Sequence, residues 1–346
     1  MLSEDKKLKV GILVLNFGGP WTLADVRPFL YRLFVNPRVL VGVPTPFRQL
    51  LAFAIAQVKG PSSIKSYRAI GGGSPQLQWT MTQAEGLRSL LNDRSMRVEI
   101  AMRSAKPSIA TALRRLHFWG ASELILLPLF PQFSTTTTGT CFDEVNAVLQ
   151  ELNWKPQVRQ VTSWPDHPLY IRLLNRTVDE AVLEAEGRSG SAGSPVHVLF
   201  SAHSLPLKIV KLGDPYPNEV ERTVQAVTRE LKRPWSLAYQ SRNGRLPWLQ
   251  PYLEDELKRL GRAGFSNVVV VPISFVSDHI ETLFELDQLY AGVAKEHGIR
   301  NYHRARCFNG DSMFSELLYS LLLDSGGDVP LLEKHYQTEV AEAVTA

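Results

Sequence analysis

Val196-His197-Val198-Leu199-Phe200-Ser201-Ala202-His203-Ser204-Leu205-Pro206 is an apolar run of strand length that breaks into a polar turn closed by proline. The same pattern recurs elsewhere. Val10 to Leu15 runs into Asn16-Phe17-Gly18-Gly19-Pro20, and Glu123 to Leu127 runs into Pro128-Leu129-Phe130-Pro131. Val268 to Val271 runs into Pro272-Ile273-Ser274-Phe275. Short continuous apolar runs bounded by turn residues mark strands buried on both faces, the habit of parallel sheets. Arg97 to Met102 and Trp235 to Gln240 read as further strands, with helices at about 108–119, at about 142–152, and from beyond Gln240 to Leu260. Each half repeats strand, turn and helix in the same order. The expected fold is α/β: two Rossmann-like halves, each a parallel sheet flanked by helices, facing one another across a cleft. Expected boundaries are 1–185 and 196–325, with a polar tail at 326–346. Glu186 to Pro195, rich in glycine and serine, is expected as a flexible linker.

Bulk properties narrow the class. A chain of 346 residues suits two domains sharing an interface. Lys and Arg are scattered and the net charge is only +4, which gives nucleic-acid binding little support. The two cysteines, Cys141 and Cys307, form no Cys-x-x-Cys pair, so one chain cannot supply four thiolates to an iron–sulfur cluster. The polar start of the chain lacks a signal-peptide core, and no stretch approaches the roughly 20 apolar residues of a membrane span. A cytoplasmic protein is expected.

Residues just past the carboxyl ends of parallel strands meet in one crevice. His203 stands there in one turn and Glu281 in another, within Ser277-Asp278-His279-Ile280-Glu281-Thr282-Leu283. An imidazole and a carboxylate facing each other suit a divalent metal or proton transfer. If a helix starts here, Asp278, Glu281 and Glu285 share a face at i, i+3, i+7 spacing, as an acidic rail or as acids matched to the helix dipole. The segment 28–58 is strongly apolar. It is either a lip touching a membrane or a large apolar ligand, or a set of amphipathic helices packed on the sheet. Gly71-Gly72-Gly73 either cradles an anion or is a plain turn before a helix; the second reading is favoured.

Several stretches together carry a resemblance to the ferrochelatase family. They are Leu15 to Pro20, Val26 to Leu30, Tyr67 to Pro75, Ala101-Met102-Arg103, Phe200 to Pro206, Tyr239 to Arg242, Pro247-Trp248-Leu249 and Ser277 to Leu283. The resemblance implies a lyase of haem biosynthesis that inserts Fe2+ into a porphyrin held between the halves, with no tightly bound cofactor. It implies that His203 and Glu281 bind metal and handle pyrrole protons, with Asp278, His279 and Glu285 as a supporting path. Arg103, Trp248, Tyr67 and Ser74 are implied to contact the porphyrin. Protoporphyrin IX is the expected substrate, favoured over coproporphyrin III by the apolar lip; a chelatase for another metal or tetrapyrrole, and a non-enzymatic metal- or haem-binding protein of two lobes, are the other readings. Three departures stand out: Ser104 where relatives often carry an aromatic residue, Asn243-Gly244-Arg245-Leu246 before the tryptophan, and Leu253 where relatives often have threonine.

Overall fold

Two four-stranded parallel sheets organise the chain in a computed structural model that describes residues 8–91, 93–188, 195–244 and 246–326. The first contains β1 (Val10–Asn16), β2 (Met96–Met102), β3 (Glu123–Pro128) and β4 (Gln157–Gln160), in the order β2-β1-β3-β4. The second contains β5 (Val196–His203), β6 (Trp235–Gln240), β7 (Asn267–Pro272) and β8 (Asn301–Arg304), in the order β6-β5-β7-β8. The two orders are the same counted from the start of each half, so the duplication read from the strand–turn pattern is real at the level of topology. The edge strands β4 and β8 are short and half-exposed. Gln157-Val158-Arg159-Gln160 has no apolar run, which is why sequence reading passed over it.

The helices are α1 (Val26–Phe34), α2 (Thr45–Ala69), α3 (Gln76–Leu91), α4 (Ile109–Trp119), α5 (Thr138–Glu151) and α6 (Pro168–Arg188). They continue with α7 (Leu207–Lys211), α8 (Tyr216–Thr228), α9 (Leu253–Arg262), a π-helix (Glu281–Tyr290), α10 (Ala291–Glu296) and α11 (Ser312–Asp324). α4 shows how local sequence sets an element's length. Ser108 Oγ accepts the Thr111 N–H at the start, and Gly120 takes φ 85° at the end, a conformation that costs glycine little.

Two helices cross between the halves. α6 precedes the linker yet lies against β5, β7 and β8 of the second sheet. α11, at the far end of the described chain, lies against α3 and β3 of the first. One apolar core therefore runs through both halves, from Val14 and Leu127 to Phe200 and Val271, with Trp164, Tyr170, Phe308 and Phe314 between them. Tyr170 donates to the Ile273 carbonyl at 2.7 Å, and Trp164 Nε1 to the Pro128 carbonyl at 3.2 Å. The centre of the expected linker, 189–194, and the tail at 327–346 lie outside the described residues.

The apolar segment 28–58 packs mainly on itself, with Val41 set against the core of the sheets. α1 and α2 pair with each other, and a stripe of Ala52, Ala56 and Gly60 on α2 lets them approach closely. A Cβ at Gly60 would sit 2.9 Å from Arg27 Nε. The pair bridges the cleft: Gln288 Nε2 of the π-helix donates to the Ala69 carbonyl at 3.4 Å, and Ile280 packs into the α1–α2 cluster.

Candidate active site

The carboxyl ends of both sheets open into one cavity of about 730 Å³. Its apolar wall comes from α1 and α2 through Phe29, Leu30, Leu33, Phe34 and Ile55, and from Phe17, Phe130, Leu246, Trp248 and Leu289. His203, His279, Glu281 and Glu285 line it as well. His203 and Glu281, from separate turns, thus line the same cavity.

His203 ends β5. Its Nδ1 lies 2.6 Å from the Ser204 carbonyl oxygen, an atom that can only accept, which assigns the proton to Nδ1 and leaves Nε2 as the basic atom. Burial lowers its pKa, with the Glu281 charge pulling the other way. The ring is therefore neutral, and a proton acceptor, at neutral pH. Phe275 stands edge-on to His203 at 6.3 Å and to His279 at 4.5 Å, separating the two imidazoles.

Glu281 opens the π-helix. Hydrogen bonds from i to i+5 widen each turn, and Ile280, Glu281, Phe284, Glu285 and Leu289 all reach the cavity. The acidic rail expected at α-helical spacing is not what forms. Asp278 precedes the helix and turns away from the cavity, 3.2 Å from Arg304 Nη1 and bonded by Asn309 Nδ2 at 2.7 Å and Thr282 Oγ1 at 2.9 Å. Burial opposes its ionisation, but Arg304, Asn309 and Thr282 hold its carboxyl below the usual value. Asp278 anchors the turn; it is not a lining residue. His279 Nε2 is 3.1 Å from Glu281 Oε2, within ion-pair range but off the line of a hydrogen bond. Glu281 Oε2 is accordingly buried without a hydrogen-bond partner, and so is His279 Nδ1. Unmet polar atoms at such a wall are open for a cation or a proton.

Glu285 lies one turn further on. Gln240 Nε2 donates to Glu285 Oε2 at 3.1 Å and to the Glu281 carbonyl at 2.9 Å, and Ser241 Oγ donates to Glu285 Oε2. Ser201 Oγ donates to Gln240 Oε1 at 2.8 Å, which fixes the orientation of the amide. Burial first, and the Glu281 charge second, push the Glu285 carboxyl up to about 7. Its folded pKa exceeds the ordinary 4.5, so its contribution to stability is full below pH 4.5 and is lost as pH rises through about 7. At about 1.4 kcal/mol per unit, the loss is on the order of 3 kcal/mol. The Glu285→Gln variant cannot ionise there. Urea denaturation is expected to show its stability, relative to the parent, rising between pH 4.5 and 7 and then levelling. Parallel profiles for the two proteins would refute this.

Of the other expected contacts, Tyr67, Ser74 and Trp248 line the cavity. Trp248 Nε1 donates to the Asn243 carbonyl at 2.9 Å. Arg103 does not line it; Arg103 Nη1 pairs with Glu144 of α5 at 2.9 Å, because a buried guanidinium needs a carboxylate within reach. The glycine loop is a turn: a Cβ at Gly73 would sit 2.1 Å from the Trp21 carbonyl oxygen, and the Ser74 N–H donates to the Pro20 carbonyl at 2.7 Å. Ser104 is buried off the cavity, where Phe17 and Phe29, edge to face at 6.5 Å, supply the nearby wall. Leu253 is in the core of the second half, away from the cavity. Asn243, Gly244 and Leu246 do line it; Arg245 lies outside the described residues.

Sequence reading missed Gln240, Ser241, Phe275 and Lys59 as parts of the site, and Arg304 as the partner of Asp278 behind it. The register pairing His203 with Gln240 was the signal for one of them, since neighbours at the ends of parallel strands share a crevice. Ser241 reaches Glu285 from a backbone at φ 66°, which no local pattern announces.

Two parallel α/β sheets around an apolar cavity, with a neutral imidazole and carboxylates on its wall, form a site of the kind that takes a divalent metal and moves protons. The ferrochelatase family model matches residues 9–325. A ferrochelatase of Synechococcus sp. (strain JA-3-3Ab) is 42% identical over 322 residues, covering 91% of this chain and 93% of the relative. One from Gloeobacter violaceus is 38% identical, covering 92% and 98%. The chain belongs to the ferrochelatase family. In fold it is similar to SirB from Bacillus subtilis, solved with Fe3+, at a TM-score of 0.56 and 11% identity, covering 93% of this chain and 97% of SirB.

Proposed function

We propose that the protein inserts Fe2+ into protoporphyrin IX, forming protohaem and releasing two protons. The observation that carries the choice of porphyrin is the charge of the cavity wall. Lys59 is the one lysine or arginine among the described lining residues, and the rest of the α1–α2 side is apolar or hydroxylated. One cation suits the two carboxylates of protoporphyrin better than the four of coproporphyrin, since each buried carboxylate needs a partner.

A flat porphyrin keeps its nitrogen lone pairs in the ring plane. Contacts along the rest of the macrocycle bend it so that these pairs face the incoming metal. His203 Nε2 accepts one pyrrole proton, and the other passes to the carboxylates of Glu281 and Glu285. Glu281 presents a carboxylate oxygen to Fe2+, which is substrate and passes through. Glu285, titrating near 7, passes protons onward. No covalent intermediate, resident cofactor or iron–sulfur cluster enters this reading; Cys141 and Cys307 are buried.

The test is an anaerobic absorbance assay with Fe2+ and the two porphyrins side by side. Faster turnover of protoporphyrin supports the proposal. Preference for coproporphyrin overturns the substrate, and porphyrin binding without turnover points to a non-enzymatic binding protein.

The proposal places the protein in the cytoplasm with peripheral membrane contact. Phe47, Leu50, Phe53 and Val58 of α2 are exposed, while no described helix is long and apolar enough to cross a bilayer. The protein is expected to float with anionic vesicles, and a Phe47→Glu, Leu50→Glu variant to remain in the soluble fraction. Equal flotation would remove this part.

A further inference from the structure

Arg304 closes β8 on the side of the π-helix turned away from the cavity. Its side chain is only 12% exposed, yet it meets two carboxylates. Nη1 lies 3.2 Å from Asp278 Oδ1, and Nε and Nη2 grip Asp287 Oδ1 and Oδ2 at 2.6 and 2.9 Å. Asp278 belongs to the turn that leads into the π-helix; Asp287 belongs to the helix itself. Glu281 and Glu285 lie between them in the chain. One planar guanidinium therefore spans the stretch of backbone that carries both cavity carboxylates.

This arrangement has a physical purpose beyond charge balance. The wide turn of a π-helix is rarely sustained over several turns, so a helix of this kind needs external restraint to hold its register. β8 supplies it twice. Tyr302 OH donates to the Leu286 carbonyl at 2.9 Å, and Arg304 holds the entering turn and the helix together. Without Arg304, Asp278 and Asp287 would be like charges with no shared cation. Asp278 would then be held through Asn309, Thr282 and the Cys307 thiol.

We infer that Arg304 is a positioning residue for metal capture: by bridging Asp278 and Asp287 it holds the π-helix in the register that presents Glu281 to the cavity. The inference rests on the chelatase reading above, and it assigns Arg304 no contact with metal or porphyrin. Among the described residues, Arg304 has no bond to α1, α2 or Trp248, and reaches the cavity only through the helix that carries Glu281. Loss of Arg304 should therefore act more strongly on Fe2+ than on the porphyrin.

The test measures KM for Fe2+ and for porphyrin separately in Arg304→Met, Arg304→Lys and Asp287→Asn. Arg304→Met is expected to raise KM for Fe2+ by about 10–100-fold, the usual cost of losing a group that orients a ligand. KM for porphyrin is expected to stay within about two-fold of the parent. Arg304→Lys should recover part of the loss, because a point-like ammonium can meet one carboxylate but cannot bridge both in a fork. Asp287→Asn keeps the guanidinium buried beside Asp278 and gives the same direction of change if Arg304→Met does not fold. Calorimetric titration of the porphyrin-free protein with Zn2+ reads the same site without turnover, and its affinity should fall in parallel. Folded variants with unchanged KM for Fe2+, or equal losses for both substrates, overturn the inference. A parent protein that turns over no porphyrin overturns the proposed function instead, while the Zn2+ titration still reads the role of Arg304.

Discussion

Replacing His203 with alanine lowers metal insertion by about 10²–10⁴-fold, the range lost when a positioned base is removed. The loss should fall on turnover. Alanine leaves the apolar wall in place, and porphyrin quenching of tryptophan fluorescence should report near-parental binding. Folding should survive, because the side chain's one internal bond is to the neighbouring Ser204 carbonyl, worth about 1 kcal/mol net. The pH profile adds a second reading. Burial lowers the His203 pKa, so the parent should keep its base unprotonated, and its activity, below the ordinary histidine value of 6.5. A His203→Ala protein that inserts iron at near-parental rate would show that the pyrrole proton leaves by another route.

The Glu281→Gln substitution should cost at least about 10²-fold in insertion. Glutamine matches the size of glutamate but brings no charge to Fe2+. It also removes a negative neighbour from Tyr67, His203 and Glu285. The Glu285 carboxyl, raised partly by Glu281, should titrate lower in the variant. His203, whose protonated form Glu281 favours, should hold a proton less readily. NMR titration of selectively labelled glutamate and histidine would read both shifts. If neither moves while iron capture is retained, Glu281 does not face the other two across the cavity as placed here.

Much of this organisation was legible in the chain. Apolar runs ending in Gly/Pro turns announced most of the strands, because burial on both faces of a parallel sheet demands continuous apolar residues. The same turns held residues that line the cavity, since strand ends converge. His203 and Glu281 were singled out by that route and by the family's motifs, and both line the cavity. β4 and β8 were not found, as half-exposed edges need no apolar run. The segment 28–58 was recognisable as apolar, but whether its partner was a sheet, a bilayer or a ligand was not a local property. Tertiary contacts paired α1 with α2, left part of α2 exposed and turned another face to the cavity.

What the residues alone determined is therefore the repeated α/β pattern and the types of group gathered at strand ends. Spacing along a chain encodes burial, and burial is local enough to read. The partners of charged groups were decided only by the folded structure. Asp278 joined Arg304 rather than the cavity, Arg103 joined Glu144 rather than the porphyrin wall, and α6 and α11 exchanged sheets. A buried charge must be met by whatever opposite charge the fold brings within reach, and that choice spans residues far apart in sequence.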